Sequence, residues 1–258
     1  MIHADQPTCF DSSVVAAVSS LEDGQTQLAK GEPDVEVIHN RRVFLKNVGL
    51  KIEDVILLKV TYADNRTYDI IREVTDQDAS RGMFNNDDVD QADCLVTQTP
   101  GVGLFLPIAD CTGTIVHDPV NNVLALIHLG RHSTTAQLAT KVVTYLQEHF
   151  GSKPGDLVVW FSPSIRKESY RVKVEHLENG DSRIADYFIE DEGGRWFDMH
   201  GYNWMLFVGA GVERTAIHDA DVNTATSSEY GSHYAQTTVG GELPPPRFAV
   251  VCALKKPQ

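Results

Sequence analysis

Between Ala109 and Ser133 the chain reads Ala-Asp-Cys-Thr-Gly-Thr-Ile-Val-His-Asp-Pro-Val-Asn-Asn-Val-Leu-Ala-Leu-Ile-His-Leu-Gly-Arg-His-Ser, and few folds accept such a segment. Two β-prone runs flank a polar turn, the pattern of a β-hairpin. Apolar residues occupy both faces, with Ile115, Leu124 and Leu126 on one and Val116, Ala125 and Ile127 on the other. Strands of that kind lie inside a sheet, not on its solvent side.

The hairpin also brings chemistry to one end. A type I turn over Asp118-Pro119-Val120-Asn121 suits Asp at its first position and Pro at its second, and it sets Cys111 directly opposite His128. A primed turn over Val120-Asn121-Asn122-Val123 sets Cys111 opposite His132 instead. Both registers leave Cys111, His128 and His132 on one face, because strand side chains alternate with period two. Opposed Cβ atoms lie about 4.5–5.5 Å apart, close enough to share one proton or one metal ion.

Charge and cysteine content bound the function. Asp and Glu outnumber Lys and Arg 36 to 22, a formal net charge of −14. That balance argues against nucleic acid, whose phosphates need a basic face, and against anionic membrane surfaces. No segment approaches the roughly 20 apolar residues of a membrane span, and no basic start leads an apolar run, so a cytoplasmic protein is expected. Cys9, Cys94, Cys111 and Cys252 form no Cys-x-x-Cys pair, which makes reduced thiols the default. Cys94 and Cys252 sit in apolar runs as small core residues; only Cys111 has polar company.

The remaining pattern is an α+β alternation of one domain over residues 1–258, with mixed β-sheets flanked by helices. Strands are expected at Val14–Val18, Val55–Tyr62 with Tyr68–Val74 as its partner, Asp93–Thr97, Gly103–Ile108, Leu157–Phe161, Glu213–His218 and Arg247–Leu254. A polar loop is expected from Leu21 to Pro33. Helices are expected over Asp34–Val48, over the run after Ser133-Thr134-Thr135 that ends at Gly151, and over Asp198–Gly209. Gly130 argues that the second of these begins only after the His128/His132 pair. Thr75–Gln91, rich in Asp and Asn, reads as a long surface loop with the makings of a lid.

The order of motifs resembles the laccase-domain family, also called multicopper polyphenol oxidoreductase, whose members are described as purine nucleoside phosphorylases and peptidoglycan editing factors. The likeness rests on Asn40-Arg41, Val48-Gly-Leu50, Ala92-Asp-Cys-Leu-Val-Thr97, Pro100-Gly-Val102, Ala109-Asp110-Cys111, His128-Leu-Gly130, Ser162-Pro-Ser-Ile165, Tyr170-Arg-Val172, Phe197-Asp198, Asn203, Gly211-Val212, Ser232 and Arg247, in the family's order. In the family one Cys and two His gather at the catalytic centre or around zinc. Cys111 and His128 match; the first family histidine aligns with Tyr62, a poor zinc ligand because its phenol ionises only near pKa 10. Arg131-His132 stands where Trp-Arg is expected, His233 follows Ser232, and Ser19-Ser20-Leu21 lacks the family's arginine.

The resemblance implies an enzyme that cleaves purine nucleosides with phosphate. Cys111, His128 and Asp110 would be its catalytic residues, Tyr62, Arg131, His132 and Arg247 its substrate-binding residues. Cys111, His128 and His132 with a water would make a catalytic zinc site of three protein ligands. Phosphorolysis needs cations for phosphate and an acid for the departing base, and the missing arginines make a ligand-binding protein without turnover the first alternative. Amide hydrolysis on a peptidoglycan precursor is the second, by zinc-activated water or a thiolate. True laccase chemistry ranks last, since its paired histidine clusters are absent from the ten scattered histidines.

Overall fold

The computed structural model describes residues 6–28, 34–172, 181–239 and 245–256. In chain order the elements are β1 (Val14–Val18), α1 (Val35–Asn47), β2 (Val55–Leu57), β3 (Ile71–Glu73), β4 (Cys94–Thr97), β5 (Gly103–Ile108), β6 (Thr112–Asp118) and β7 (Val123–Leu129). There follow α2 (Arg131–Thr135), α3 (Leu138–Phe150), β8 (Val158–Phe161), β9 (Phe188–Asp191), β10 (Gly194–Phe197), α4 (Met199–Gly209), β11 (Ile217–Asp219), α5 (His233–Val239) and β12 (Phe248–Leu254). Two mixed sheets carry the fold, one ordered β1-β12-β5-β2 and the other β11-β8-β6-β7-β4-β3; β9 and β10 form a separate hairpin.

The sheets pack face to face. Ile115, Leu124, Leu126, Leu95 and Trp160 from the larger sheet meet Leu104, Leu106, Val250, Cys252 and Leu254 from the smaller. The opposite face of the larger sheet, through Val116, Ala125, Ile127 and Val159, packs on α3 and α4. Ala17, Val55, Leu57, Phe105 and Val251 of the smaller sheet pack on α1. The layers therefore run helix, sheet, sheet, helix, which is why the central hairpin is apolar on both faces.

The hairpin register falls between the two expected ones. Thr112 pairs with Leu129 and Gly113 with His128, so neither His128 nor His132 stands directly across from Cys111. The cause is the turn: Asp118 pairs with Val123, leaving a four-residue loop. Asp118 Oδ1 accepts from the backbone N–H groups of Val120 and Asn121 at 2.8 and 3.0 Å, and Asn122 takes the left-handed conformation that Asn tolerates, φ 53°. The step from either expected register is even, so Cys111 and His128 keep a common face.

Other expectations change with tertiary contacts. The Val55–Tyr62 strand stops at Leu57, and Ile71–Glu73 pairs with β4, not β2. Neighbours in sequence, β4 and β5 lie in different sheets. The helix after the hairpin starts at Arg131, before the expected point, and breaks at Gln137, φ 57°, ahead of α3. Gly130 caps α2: its N–H donates to Ser133 Oγ at 3.0 Å, and that hydroxyl donates to the His128 carbonyl at 2.7 Å. His132 thus belongs to a helix, and strand parity does not govern it. Glu213–His218 opens as a 3-10 turn before β11.

The Thr75–Gln91 segment is anchored at its middle. Arg41, fully buried, donates to the carbonyls of Gly82 and Met83 at 2.9 and 2.8 Å and to that of Thr26 at 2.7 Å. Met83 itself is buried in the core beside α1. Of the loop expected from Leu21 to Pro33, residues 29–33 lie outside the described residues. Among the described residues no helix is long and apolar enough to cross a membrane.

Candidate functional site

One end of the larger sheet collects the polar side chains. The start of β6 and the end of β7 share that edge because the two strands are antiparallel. The start of β4 and the end of β8 lie there for the same reason, and β11, parallel to β8, also ends there. Asp93, Cys111, His128 and Asp219 are thereby carried to one rim. Pairing of Phe248 with Ile108 sets Arg247 beside the strand that leads into Cys111.

Gly130 records how closely the central pair approaches. A Cβ there would lie 2.9 Å from Cys111 Sγ, 2.9 Å from His128 Cε1 and 3.3 Å from His128 Nε2. Thiol and imidazole thus converge on space that only a glycine leaves free. The Tyr62 phenol and the Cys111 thiol are close enough to shift each other's ionisation, while the Tyr62 ring meets His128 nearly edge-on, centroids 6.5 Å apart at 80°.

The electrostatics keep this centre protonated but uncharged at neutral pH. Burial pushes the Cys111 thiol up to about 11, although the residue keeps a partly exposed face and Arg247 pulls the other way. Burial is also the main cause that brings His128 down to about 3, assisted by the charges of Arg247, Arg66 and His132. The Tyr62 phenol is raised, first by the neighbouring Cys111 and then by burial of its hydroxyl end. Thiol, imidazole and phenol are all neutral around pH 7.

Positive charge comes from Arg247, which follows the family's order of motifs, and from Arg131 and Arg66, which lie outside the matching motifs. Arg247 acts on Cys111, His128 and Tyr62 together, and among the described residues it has no carboxylate partner. Arg131 acts on Cys111; its Nη2 lies 3.3 Å from His132 Nε2, and its buried Nε has no hydrogen-bond partner. Arg66 is spoken for, donating to Asp93 at 2.7 Å in a buried pair. Sequence reasoning missed Arg66 because it sits in an irregular loop, although the repeated Asp-Cys dipeptide marks its partner.

Both carboxylate oxygens of Asp110 are engaged by neighbours in the fold. Its Oδ1 accepts from Thr224 Oγ1 and its Oδ2 from the Tyr234 N–H, both at 2.7 Å. Its backbone is left-handed, φ 76°. Its carboxylate ties the segment after β11 and the first turn of α5 to the rim.

A cleft of about 580 Å³ is walled by the 62–68 loop, by His132 and Thr135 of α2 and by Ala136; Tyr62 stands between it and the Cys111–His128 pair. Tyr68 stacks on His132, centroids 4.4 Å apart and 16° from parallel, and the Arg66 guanidinium lies 4.8 Å from the Tyr68 ring centre. A second cleft of about 350 Å³ lies against α4, lined by Trp204, Met205 and His200.

The expected three-ligand metal site does not form. Among the described residues no three His, Cys, Asp or Glu side chains stand close enough to hold a metal ion. Cys111 and His128 meet, whereas His132 is taken up by the Tyr68 stack, and the Arg247 charge beside the pair would repel a dication. The donor set present fits neither zinc nor copper.

Fold and site together define an α+β protein with a neutral Cys–His pair under an arginine-rich rim. The chain belongs to the family described as multi-copper polyphenol oxidoreductase laccase, which matches residues 16–243. It is similar to a purine nucleoside phosphorylase of Bacteroides thetaiotaomicron, 29% identical over 137 residues that make up 51% of each chain. A second purine nucleoside phosphorylase, from Deinococcus radiodurans, is 30% identical over 123 residues, 47% of this chain and 48% of the relative. The chain spans about half the length of these curated relatives. Its fold resembles the crystal structure of YlmD from Geobacillus stearothermophilus, with TM-score 0.83, 20% identity, and 97% and 94% of the two chains covered.

Proposed function

We propose that this protein cleaves purine nucleosides by phosphorolysis at the Cys111–His128 centre. The observation that carries the reading is the convergence of thiol and imidazole beside Arg247, a cation with no carboxylate partner among the described residues. The names of the curated relatives supply the substrate class: a small molecule, a purine nucleoside with inorganic phosphate. Arg247 and Arg131 hold the phosphate. A phosphate oxygen attacks C1′ of the ribose as the C1′–N9 bond breaks, and the electron pair of that bond passes into the purine. The departing base takes a proton from the Cys111 thiol, which is protonated at neutral pH. His128, neutral, accepts a hydrogen bond from the sugar. The role of His132 is to hold the cleft wall through Tyr68.

This chemistry passes through no metal. Elemental analysis of purified protein tests that feature: zinc well below one per chain is expected, and about one zinc per chain, lost on Cys111→Ala, would refute it. Amide hydrolysis on a cell-wall precursor fits less well, because a thiol held at about 11 is not a thiolate nucleophile near pH 7. Four free cysteines suit a reducing compartment such as the cytoplasm.

Incubation of adenosine or inosine with phosphate, followed by detection of free base and ribose 1-phosphate, is the decisive assay. Product above the Cys111→Ala control is expected. Binding of nucleoside with no base released would favour a ligand-binding protein that has lost turnover, the reading to which the Tyr62 position lends weight.

A further inference from the structure

Three aromatic rings line the large cleft, and they are not equivalent. Tyr68 has the His132 ring stacked on it at 4.4 Å and the Arg66 guanidinium 4.8 Å from its centre. Among the described residues Tyr62 makes no stacked contact. It meets Tyr68, His132 and His128 at 41°, 57° and 80°, with centroids more than 6 Å away, and 60% of the residue is exposed. An aromatic side chain that open, with its ring edge-on to His128, is an unused stacking platform next to the reacting pair. Exposed aromatic faces are what proteins use to hold nucleobases, since every base offers a π-face.

We propose that Tyr62 is the seat of the purine base: the base stacks on its ring inside the 62–68 cleft while its hydroxyl holds the Cys111 thiol in line with the glycosidic nitrogen. The inference rests on the nucleoside reading given above and adds the specificity residue. It also explains why a side chain unsuited to zinc occupies this position. With no group of three metal-ligating side chains among the described residues, the residue there serves the organic half of the substrate. Ring and hydroxyl do separable jobs, one in binding and one in turnover.

Calorimetric titration of the full chain with adenosine, inosine and free adenine, alongside turnover with phosphate, separates these jobs in Tyr62→Leu and Tyr62→Phe. Tyr62→Leu should weaken binding of all three about tenfold, the order expected for one lost base stack, and leave binding of ribose 1-phosphate unchanged. Tyr62→Phe should bind within about twofold of the parent protein and turn over more slowly. Equal binding by Tyr62→Leu and the parent, equal weakening in both variants, or no binding of any purine to the parent would each overturn the seat. Failure of the parent to release base, with binding still lost in Tyr62→Leu, leaves the seat standing and removes phosphorolysis. Unchanged far-ultraviolet circular dichroism checks that both variants fold.

Discussion

Gly130→Ala is the sharpest test of how the Cys111–His128 centre is built. The backbone of Gly130, φ −100° and ψ −178°, is open to alanine, so any penalty arises from space alone. The new methyl would lie 2.9 Å from Cys111 Sγ and from His128 Cε1, whereas ordinary contact starts at 3.4 Å. Each group must therefore retreat by about 0.5 Å, in a place packed from the far side by the two-sheet core. Overpacking of this kind costs about 1–3 kcal/mol, and loss of glycine at a helix N-cap adds about 0.5 kcal/mol. At about 2–4 °C per kcal/mol for a chain of this size, Tm should fall by about 3–14 °C. A combined displacement near 1 Å lowers turnover by about 10–100-fold. Gly155→Ala, where no atom lies within 4 Å of the added methyl, serves as the control. Differential scanning fluorimetry and the phosphorolysis assay read the two effects. A Gly130→Ala protein with the Tm and turnover of the parent would refute the convergence on which the site rests.

Three further outcomes follow from the same contacts. Alkylation of Cys111 by iodoacetamide, followed peptide by peptide in a mass spectrometer, should be slow at pH 7.5 and rise with a midpoint near 11, moving higher in Arg247→Gln, which removes a charge that favours the thiolate. Acid should destabilise the fold: with His128 lowered to about 3, the unfolded chain binds the extra proton between about pH 6.5 and 3. Stability therefore falls by about 1.4 kcal/mol per pH unit on acidification through that window, and urea titrations of His128→Gln should show a shallower slope. Below about pH 4 a second loss joins it. Burial alone would raise the Asp219 carboxyl, but hydrogen bonds from His200 and Arg166 outweigh it and hold it far below the ordinary range. Arg41→Met should cost about 3–5 kcal/mol, because three buried carbonyls lose a charged donor, and limited proteolysis should then cut near Asn85–Asp88 first.

Much of this was legible in local pattern. The five-residue run Val14–Val18, the capped helix after Asp34, the Asp198 cap of α4 and the terminal strand all follow from periodicity and capping chemistry that neighbouring residues decide. The β9–β10 hairpin and α5 escaped notice because they are short, at four and seven residues, and carry weak periodicity. Tyr62 was legible as a substitution but not as a platform. Its value depends on the rings around it, and nothing in a linear spacing places His132 on Tyr68.

The amino-acid sequence by itself determined that the Ala109–Ser133 hairpin is buried on both faces and that Cys111 and His128 share one of them. Alternation along a strand has period two, and any even shift of register preserves it. Only the tertiary structure decided that β4 and β5 part into separate sheets, that His132 leaves the strand for a helix, and that Arg247 arrives beside Cys111 from the far end of the chain. Those outcomes depend on which surfaces pack together and on charges brought near through space, and neither is encoded in the spacing of residues along one segment.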